Sequence, residues 1–231
     1  IPLALPGDHL KAVNVYAIAD GEDVIMIDGG WAMANAMDQL EAGLGQIGYQ
    51  LKDVREFLVT HLHRDHYPQA IPVRRLHGTP VAVGEGERAC LRAIHNVTVH
   101  PDIANRRLAG APELADLIAQ RGGERDLTDW EDPNRWLGDG IDIELKTRTL
   151  RVIATPGHTR GHVVFHDAAS KALFAGDHVL PHITPSIGIE LARPDSPLRD
   201  YLASLRLVRS MPDSTLLPAH GPITPSTHAR V

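Results

Sequence analysis

The sequence predicts a layered α/β domain with mixed β-sheets, and three observations carry that prediction. Short apolar runs with strand-like spacing occur in both halves of the chain, each ending at a turn signal. The first two lie close enough to form a hairpin, a connection that only antiparallel neighbours can make. Segments of helical composition are interspersed among these runs instead of being collected at one end.

From the N-terminus, VNVYAIA (Val13 to Ala19) alternates and is β-rich, DGED turns, and VIMID (Val24 to Asp28) is apolar enough for a buried strand. DGG (Asp28 to Gly30) breaks that strand, and AMANAMDQLEAGL follows with helical spacing. VREFLVT (Val54 to Thr60) is a further strand, QAIPVRRLHG a short helix, and TPVAVG (Thr79 to Gly84) another strand. From Glu85 to about Gly123 the pattern is helical, with Pro101 and Pro112 as punctuation. With DLTDWEDPNRWLGDG it makes a lid-like helical insertion over about 85–140 that lacks strong strand signals. Strands resume at IDIEL, LRVIA, HVVFHD and KALFAGD. PLRDYLASLRLVRSM (Pro197 to Met211) reads as an amphipathic helix with Tyr201, Leu202, Leu205 and Val208 on one face, and STLLPAHG closes the pattern. The whole of 1–231 is expected to form one domain. The ends read as cut, so a further C-terminal helical extension is expected.

Composition narrows the function classes. An apolar fraction of 43% and a charged fraction of 23% are those of an ordinary globular protein. No apolar stretch is long enough to span a bilayer and no signal peptide is visible, so no membrane partner is expected. A net charge of −6 argues against a non-specific nucleic-acid binder. A single cysteine, Cys90, excludes an internal disulfide framework and any multi-cysteine metal site, and it points to the reducing cytoplasm.

Histidine is the outlier: there are fourteen, several of them clustered. THLHRDHYP (Thr60 to Pro68) places His61, His63, Asp65 and His66 within six positions at the end of a strand. Imidazole nitrogens and carboxylate oxygens are good ligands for zinc, manganese or iron. His61 and His63, two apart on extended chain, can project to the same side, and Asp65 and His66 lie on the following turn. One short segment could therefore serve two adjacent metals. Three further candidates each follow an apolar strand: His158 in TPGHTRGH, Asp177 in AGDHVL and His220 in PAHGP. An Asp after a strand is most often a turn residue; the shared context of strand, ligand and turn is what strengthens the joint reading.

The ordered set THLHRDH, PGHTRGH, GDH and AHG, with IMIDGG ahead of it, resembles the metallo-β-lactamase-fold hydrolases, especially glyoxalase-II-like members. The resemblance spans Asp28 to His220 and implies a four-layer αββα sandwich of two mixed sheets with a dinuclear metal site at one edge. It implies that His61, His63 and His158 bind the first metal and Asp65, His66 and His220 the second, with Asp177 bridging. Asp65 would also orient the nucleophile and shuttle its proton, and Asp28 and His162 would orient ligands without binding metal. Two divalent ions, Zn2+ first with Fe or Mn as alternatives, would generate hydroxide for attack on a small-molecule ester or thioester. Other functions on this fold are a phosphodiesterase or ribonuclease and a mononuclear-iron persulfide dioxygenase; a non-catalytic metal-binding protein is the alternative outside enzymes.

The family commonly carries glycines after the histidine motif, where this chain has Tyr67 and Pro68, so local loop shape and substrate access are expected to differ. Substrate choice is expected to lie in the insertion and in HVLPHITPSIGIELARP (His178 to Pro194), with Tyr67, Arg160, His178 and His182 as candidate contacts. Arg106 and Arg107 are candidate anion contacts. Each has an ordinary alternative as a packed or solvated residue. A homodimer is left open.

Overall fold

The structure is a computed structural model that describes residues 1–7, 10–96, 101–121, 127–188, 190–192 and 194–231. Strands β1 (Pro2–Ala4) and β2 (Ala12–Asn14) pair antiparallel as a small ribbon. The first large sheet is built from β3 (Tyr16–Asp20), β4 (Asp23–Ile27), β5 (Val54–Val59), β6 (Val81–Gly84) and β7 (Arg135–Leu137), in that spatial order. β3 and β4 form the expected hairpin, and the remaining neighbours are parallel.

The second sheet follows the order β12–β11–β10–β9–β8. Its strands are β8 (Asp142–Glu144), β9 (Thr149–Ala154), β10 (Val163–Asp167), β11 (Ala172–Gly176) and β12 (Thr215–Pro218). Only β11 and β12 run parallel within it.

Side-chain alternation explains the layering. On β4, Val24 and Met26 face one way and Ile25 and Ile27 the other, and all four are buried. A strand apolar on both faces must be covered on both. Ile25, Ile27 and Leu58 meet Val152, Val163 and Phe165 between the sheets. Val24, Met26 and Phe57 pack outward against α1 (Ala36–Gly45) and α2 (Ala70–His77) through Leu40, Leu44, Ile71 and Val73. On the far side, Val164 and Leu173 pack against α6 (Pro197–Ser210) through Val208. The result is the αββα sandwich.

Helices α3 (Arg88–Asn96), α4 (Pro101–Leu108) and α5 (Pro112–Arg121) occupy the stretch read as an insertion. Residues 97–100 and 122–126 of that stretch, and 189 and 193 of the 178–194 segment, lie outside the described residues. Among the described residues no helix is long and apolar enough to cross a membrane.

Three local expectations are corrected. VNVYAIA is two strands, not one: Asn14 donates through Nδ2 to the carbonyls of Pro218 (3.1 Å) and Gly221 (2.8 Å), and the chain changes partner at Val15. β7 lies within the supposedly strand-free insertion. It is three residues long, and its strand character comes from pairing with β6, which periodicity cannot register. On α6 the covered face runs through Tyr201, Ser204, Leu205 and Val208, whereas Leu202 is 43% exposed. Positions 201, 204, 205 and 208 follow the i, i+3, i+4, i+7 stripe; position 202 does not.

Phe165 is fully buried between the sheets, so Phe165→Ala should lower unfolding free energy by about 3–5 kcal/mol. Leu202→Ala should change it by less than about 0.5 kcal/mol. Denaturant unfolding of the two variants checks this, and comparable losses would contradict the layer assignment.

Candidate metal centre

The C-terminal ends of β4, β5, β9, β11 and β12 converge at one edge of the sandwich, and each delivers a polar residue there. β4 leads directly into Asp28, whose φ of 62° is left-handed. The next residue must be small, because a Cβ on Gly29 would lie 2.8 Å from the backbone nitrogen of Ala70. The amides of Gly29 and Gly30 donate to the carbonyl of His66 at 2.7 and 3.1 Å, fastening this turn to the histidine loop. The two sheets are joined at the same place: the amide of Val163 on β10 donates to the Thr60 carbonyl at 2.9 Å.

Proton bookkeeping fixes the tautomers. Thr60 donates its amide to Asp28 Oδ1 (2.7 Å) and its hydroxyl to Asp28 Oδ2 (3.1 Å). Having given up its only proton, Thr60 Oγ1 must accept from His61 Nδ1 at 3.0 Å, so His61 Nε2 carries a lone pair. His66 donates Nδ1–H to Asp28 Oδ2 at 2.8 Å. His158 and His220 donate Nδ1–H to the carbonyls of Ser186 (2.7 Å) and Ala12 (2.9 Å). In all four rings Nε2 is left as the free donor atom.

Those lone pairs point at one another. His158 Nε2 lies 3.2 Å from His61 Nε2 and 3.0 Å from His63 Nδ1. Asp177 Oδ2 is 3.3 Å from His158 Nε2, while its Oδ1 is 3.4 Å from His220 Nε2 and 3.7 Å from His66 Nε2. Asp65 Oδ2 sits 3.3 Å from His220 Nε2. Two donor groups result, His61, His63, His158 with Asp177, and Asp65, His66 with His220, each with its donor atoms within 4.8 Å of one another. Asp177 turns one oxygen toward each group. The buried atoms His66 Nε2, His220 Nε2 and Asp177 Oδ1 have no hydrogen-bond partner in the protein.

Such crowding of unshared lone pairs is unfavourable unless a cation sits among them. Burial and then the adjacent His66 hold His61 well below the ordinary imidazole range, and burial with His158 pushes His63 down to about 3. Burial acts in the same direction on His66, but Asp28, Asp65 and Asp177 outweigh it and push that ring up to about 10. The extra proton this places on His66 Nε2 sits where a cation would, and once it is released the set of imidazole nitrogens and carboxylates fits divalent metal ions of the zinc, iron or manganese type.

His162 is placed differently. Its Nε2 accepts the Asp177 amide at 3.2 Å and its Nδ1 lies 2.8 Å from Thr155 Oγ1, so neither nitrogen is free for a metal. It supports the Asp177 backbone beneath the donors. A Cβ on Gly176 would meet both His162 Nε2 and Thr60 Oγ1 at 2.7 Å, which is why the residue before Asp177 is glycine.

Above the donors opens a cavity of about 570 Å³, with His63, Asp65, His158, Asp177 and His220 on its floor. Its walls include Trp31, Leu62, Ile94, Trp130, Leu180 and Ile183. The four candidate substrate contacts do not line it. Tyr67 is fully buried, donates its hydroxyl to the Glu131 carbonyl at 2.5 Å, and stacks on Trp130 at 6.1 Å between centroids. His178 is buried beneath the site against Tyr201 (5.4 Å), and the Arg160 and His182 side chains are exposed outside the cavity. Arg106 and Arg107 lie on α4, with Arg107 paired to Asp116 on α5, and do not line it either.

Conversely, sequence reasoning missed Trp31, Arg64, Glu87 and Trp130, all of which line the cavity. The Arg64 guanidinium lies 4.3 Å over the Trp31 ring. Tryptophans in turn-rich segments, two of only three in the chain, were the available signal.

The comparisons with known proteins agree with this fold. A solved metallo-beta-lactamase family protein from Thermus thermophilus superposes with a TM-score of 0.80 at 26% identity, covering 99% of this chain and 75% of that one. The lactamase-like protein ptaB of Pestalotiopsis fici is 25% identical over 96% of this chain and 54% of its own length. An atrochrysone carboxyl ACP thioesterase of Aspergillus fumigatus is 26% identical over 98% of this chain and 56% of its own. The chain thus spans little more than half the length of these curated relatives. The sequence profile of the metallo-beta-lactamase superfamily matches residues 10–220, and the chain belongs to that family.

Proposed function

We propose that this chain is a dinuclear metal-dependent hydrolase acting on an ester or thioester. The observation that carries the reading is Asp177, which presents one oxygen to each of two otherwise separate donor groups. His61, His63 and His158 would hold one ion, Asp65, His66 and His220 the other, and Asp177 both. Two divalent ions, Zn2+ first and Fe or Mn as alternatives, would supply an activated water at neutral pH and polarise the scissile carbonyl.

The chain's own residues do the rest. Asp28, Ser186 and Ala12 lock the imidazoles with Nε2 forward, so no reorientation is needed. Asp65, on the cavity floor beside His220, is the carboxylate placed to orient the attacking water and take its proton. The tryptophan and leucine walls suit an apolar acyl group and exclude water from it. The cavity's cysteine is not poised as a nucleophile: Cys90 lines it, but burial and the nearby Glu87 push its thiol up, away from the reactive thiolate.

The thioester reading draws support from the thioesterase name of the Aspergillus fumigatus relative. A phosphodiesterase or ribonuclease is favoured less by apolar cavity walls and a net charge of −6. A mononuclear-iron dioxygenase leaves the second complete donor group without a use.

Metal analysis should find at least two divalent ions per chain. Chelation should abolish hydrolysis of a thioester and ester panel, and added Zn2+ should restore it; fewer than two ions, or chelator-resistant turnover, would sink the proposal. Asp28→Asn should weaken metal binding or activity about 10–100-fold, because it loosens His66 and the Thr60 relay without removing a ligand. Tyr67→Phe should act elsewhere, by releasing the strut behind Trp130. Loss of one buried hydrogen bond of about 1 kcal/mol predicts a KM for apolar acyl substrates raised roughly fivefold, with kcat unchanged. Steady-state kinetics separate the two variants.

A further inference from the structure

On the wall of the cavity, apart from the His/Asp donors, Glu87, Cys90 and Glu190 face one another, and a donor atom from each lies within 4.8 Å of the others. Glu87 comes from the tight turn Glu85–Glu87 that leads into α3, Cys90 from the first turn of α3, and Glu190 from the loop beyond Asp177.

Each carboxylate is anchored by one oxygen and leaves the other free. Glu87 Oε1 accepts the Thr159 hydroxyl, while its Oε2 is buried with no protein partner, on a side chain that is 0% exposed. Glu190 Oε2 accepts the Arg160 amide at 2.9 Å and the Cys90 thiol at 2.7 Å, and its Oε1 is likewise buried and unpartnered. The thiol proton is committed to Glu190, so none remains for Glu87. Carboxylates held at one oxygen with the other bare have the arrangement of ligands oriented by an outer layer of hydrogen bonds.

Electrostatics point the same way. Burial pushes the Glu87 carboxyl up to about 7, and burial with Glu87 and Glu190 raises the Cys90 thiol. No lysine or arginine side chain forms a hydrogen bond or ion pair with this cluster among the described residues. The Arg160 charge acts on Glu190 only from a distance, so two carboxylates and a thiol in a half-apolar wall have no cation in contact, and a divalent cation supplies one.

We propose that Glu87, Cys90 and Glu190 form a further metal site, separate from the His/Asp centre, that takes a borderline divalent cation of the zinc type. Binding displaces the thiol proton to solvent, and the cation is held by one thiolate and two carboxylate oxygens with its open side toward the cavity. The site does not depend on the hydrolase reading, since none of its ligands belongs to the other centre.

Cobalt titration of the metal-free protein tests this. Cys90 is the only cysteine in the sequence and the His/Asp centre has no sulfur, so thiolate-to-cobalt charge-transfer absorption in the near ultraviolet can come only from this site. The expected result is that absorption growing with a third equivalent of Co2+, beyond two equivalents read from visible ligand-field bands. Cys90→Ser should abolish it and lower the stoichiometry by one, while the visible bands persist and report an intact fold. Glu190→Gln, on the loop beyond Asp177, should weaken the third equivalent at least tenfold. Absence of charge-transfer absorption at saturating cobalt in the wild-type chain would overturn the proposal, as would a Cys90→Ser chain that binds as many equivalents as wild type.

Discussion

The Asp28 carboxylate is the constraint from which the rest of the centre follows. It accepts the Thr60 amide, the Thr60 hydroxyl and His66 Nδ1–H, all in a site closed to solvent. Hydrogen bonds to a charged group contribute about 1.5–3 kcal/mol each. The left-handed backbone that aims the side chain costs about 1–3 kcal/mol at a non-glycine residue. Three such bonds outweigh that strain. Glycine would relieve the strain but remove the acceptor, and asparagine would keep the shape while reversing one bond. Through Thr60 the same carboxylate also decides which nitrogen of His61 bears its proton, although it never touches that ring.

The convergence that Asp28 organises has a consequence for stability. Six buried histidines and three carboxylates meet where the two sheets share the Val163–Thr60 bond. Without a cation, the Nε2 lone pairs of His61 and His158 face each other at 3.2 Å. Divalent ions would replace that repulsion with a link between the halves of the sandwich, so metal binding would be coupled to folding at this edge. The core does not share the burden: Ile25, Ile27, Val163 and Phe165 hold the sheets together by apolar burial alone.

How legible this was in the sequence depended on how local the information is. The donors could be read because metal chemistry selects residue types and each loop carries its ligands within a few positions, as THLHRDH and GDH do. The layered α/β class could be read because apolar strands and helical segments alternate along the chain, whereas the four-layer arrangement came with the family resemblance. β7 could not, because three residues, RWL, take strand form from β6 and not from their own pattern. Leu202 was misplaced on α6 because it was grouped by its apolar type although its position falls off the 201, 204, 205, 208 stripe. The cavity walls were invisible for a different reason. Trp31, Glu87 and Trp130 are brought together by tertiary packing, and no short-range spacing links them.

Tyr67 shows how a residue can govern the cavity without lining it. Directly after the histidine motif, its ring turns into the core and backs Trp130, while its hydroxyl holds the Glu131 carbonyl. Arg74 and Arg75, one turn further along α2, grip the Glu131 carboxylate, and Arg75 also holds Asp129 at 2.8 Å. From the other side, His95 at the end of α3 donates to the Trp130 carbonyl at 2.5 Å. The segment carrying Trp130 is thus strapped to the same loop and helix that present His61, His63 and His66. The Tyr67 ring and hydroxyl thereby fasten the cavity wall to the loop that carries the His/Asp donors.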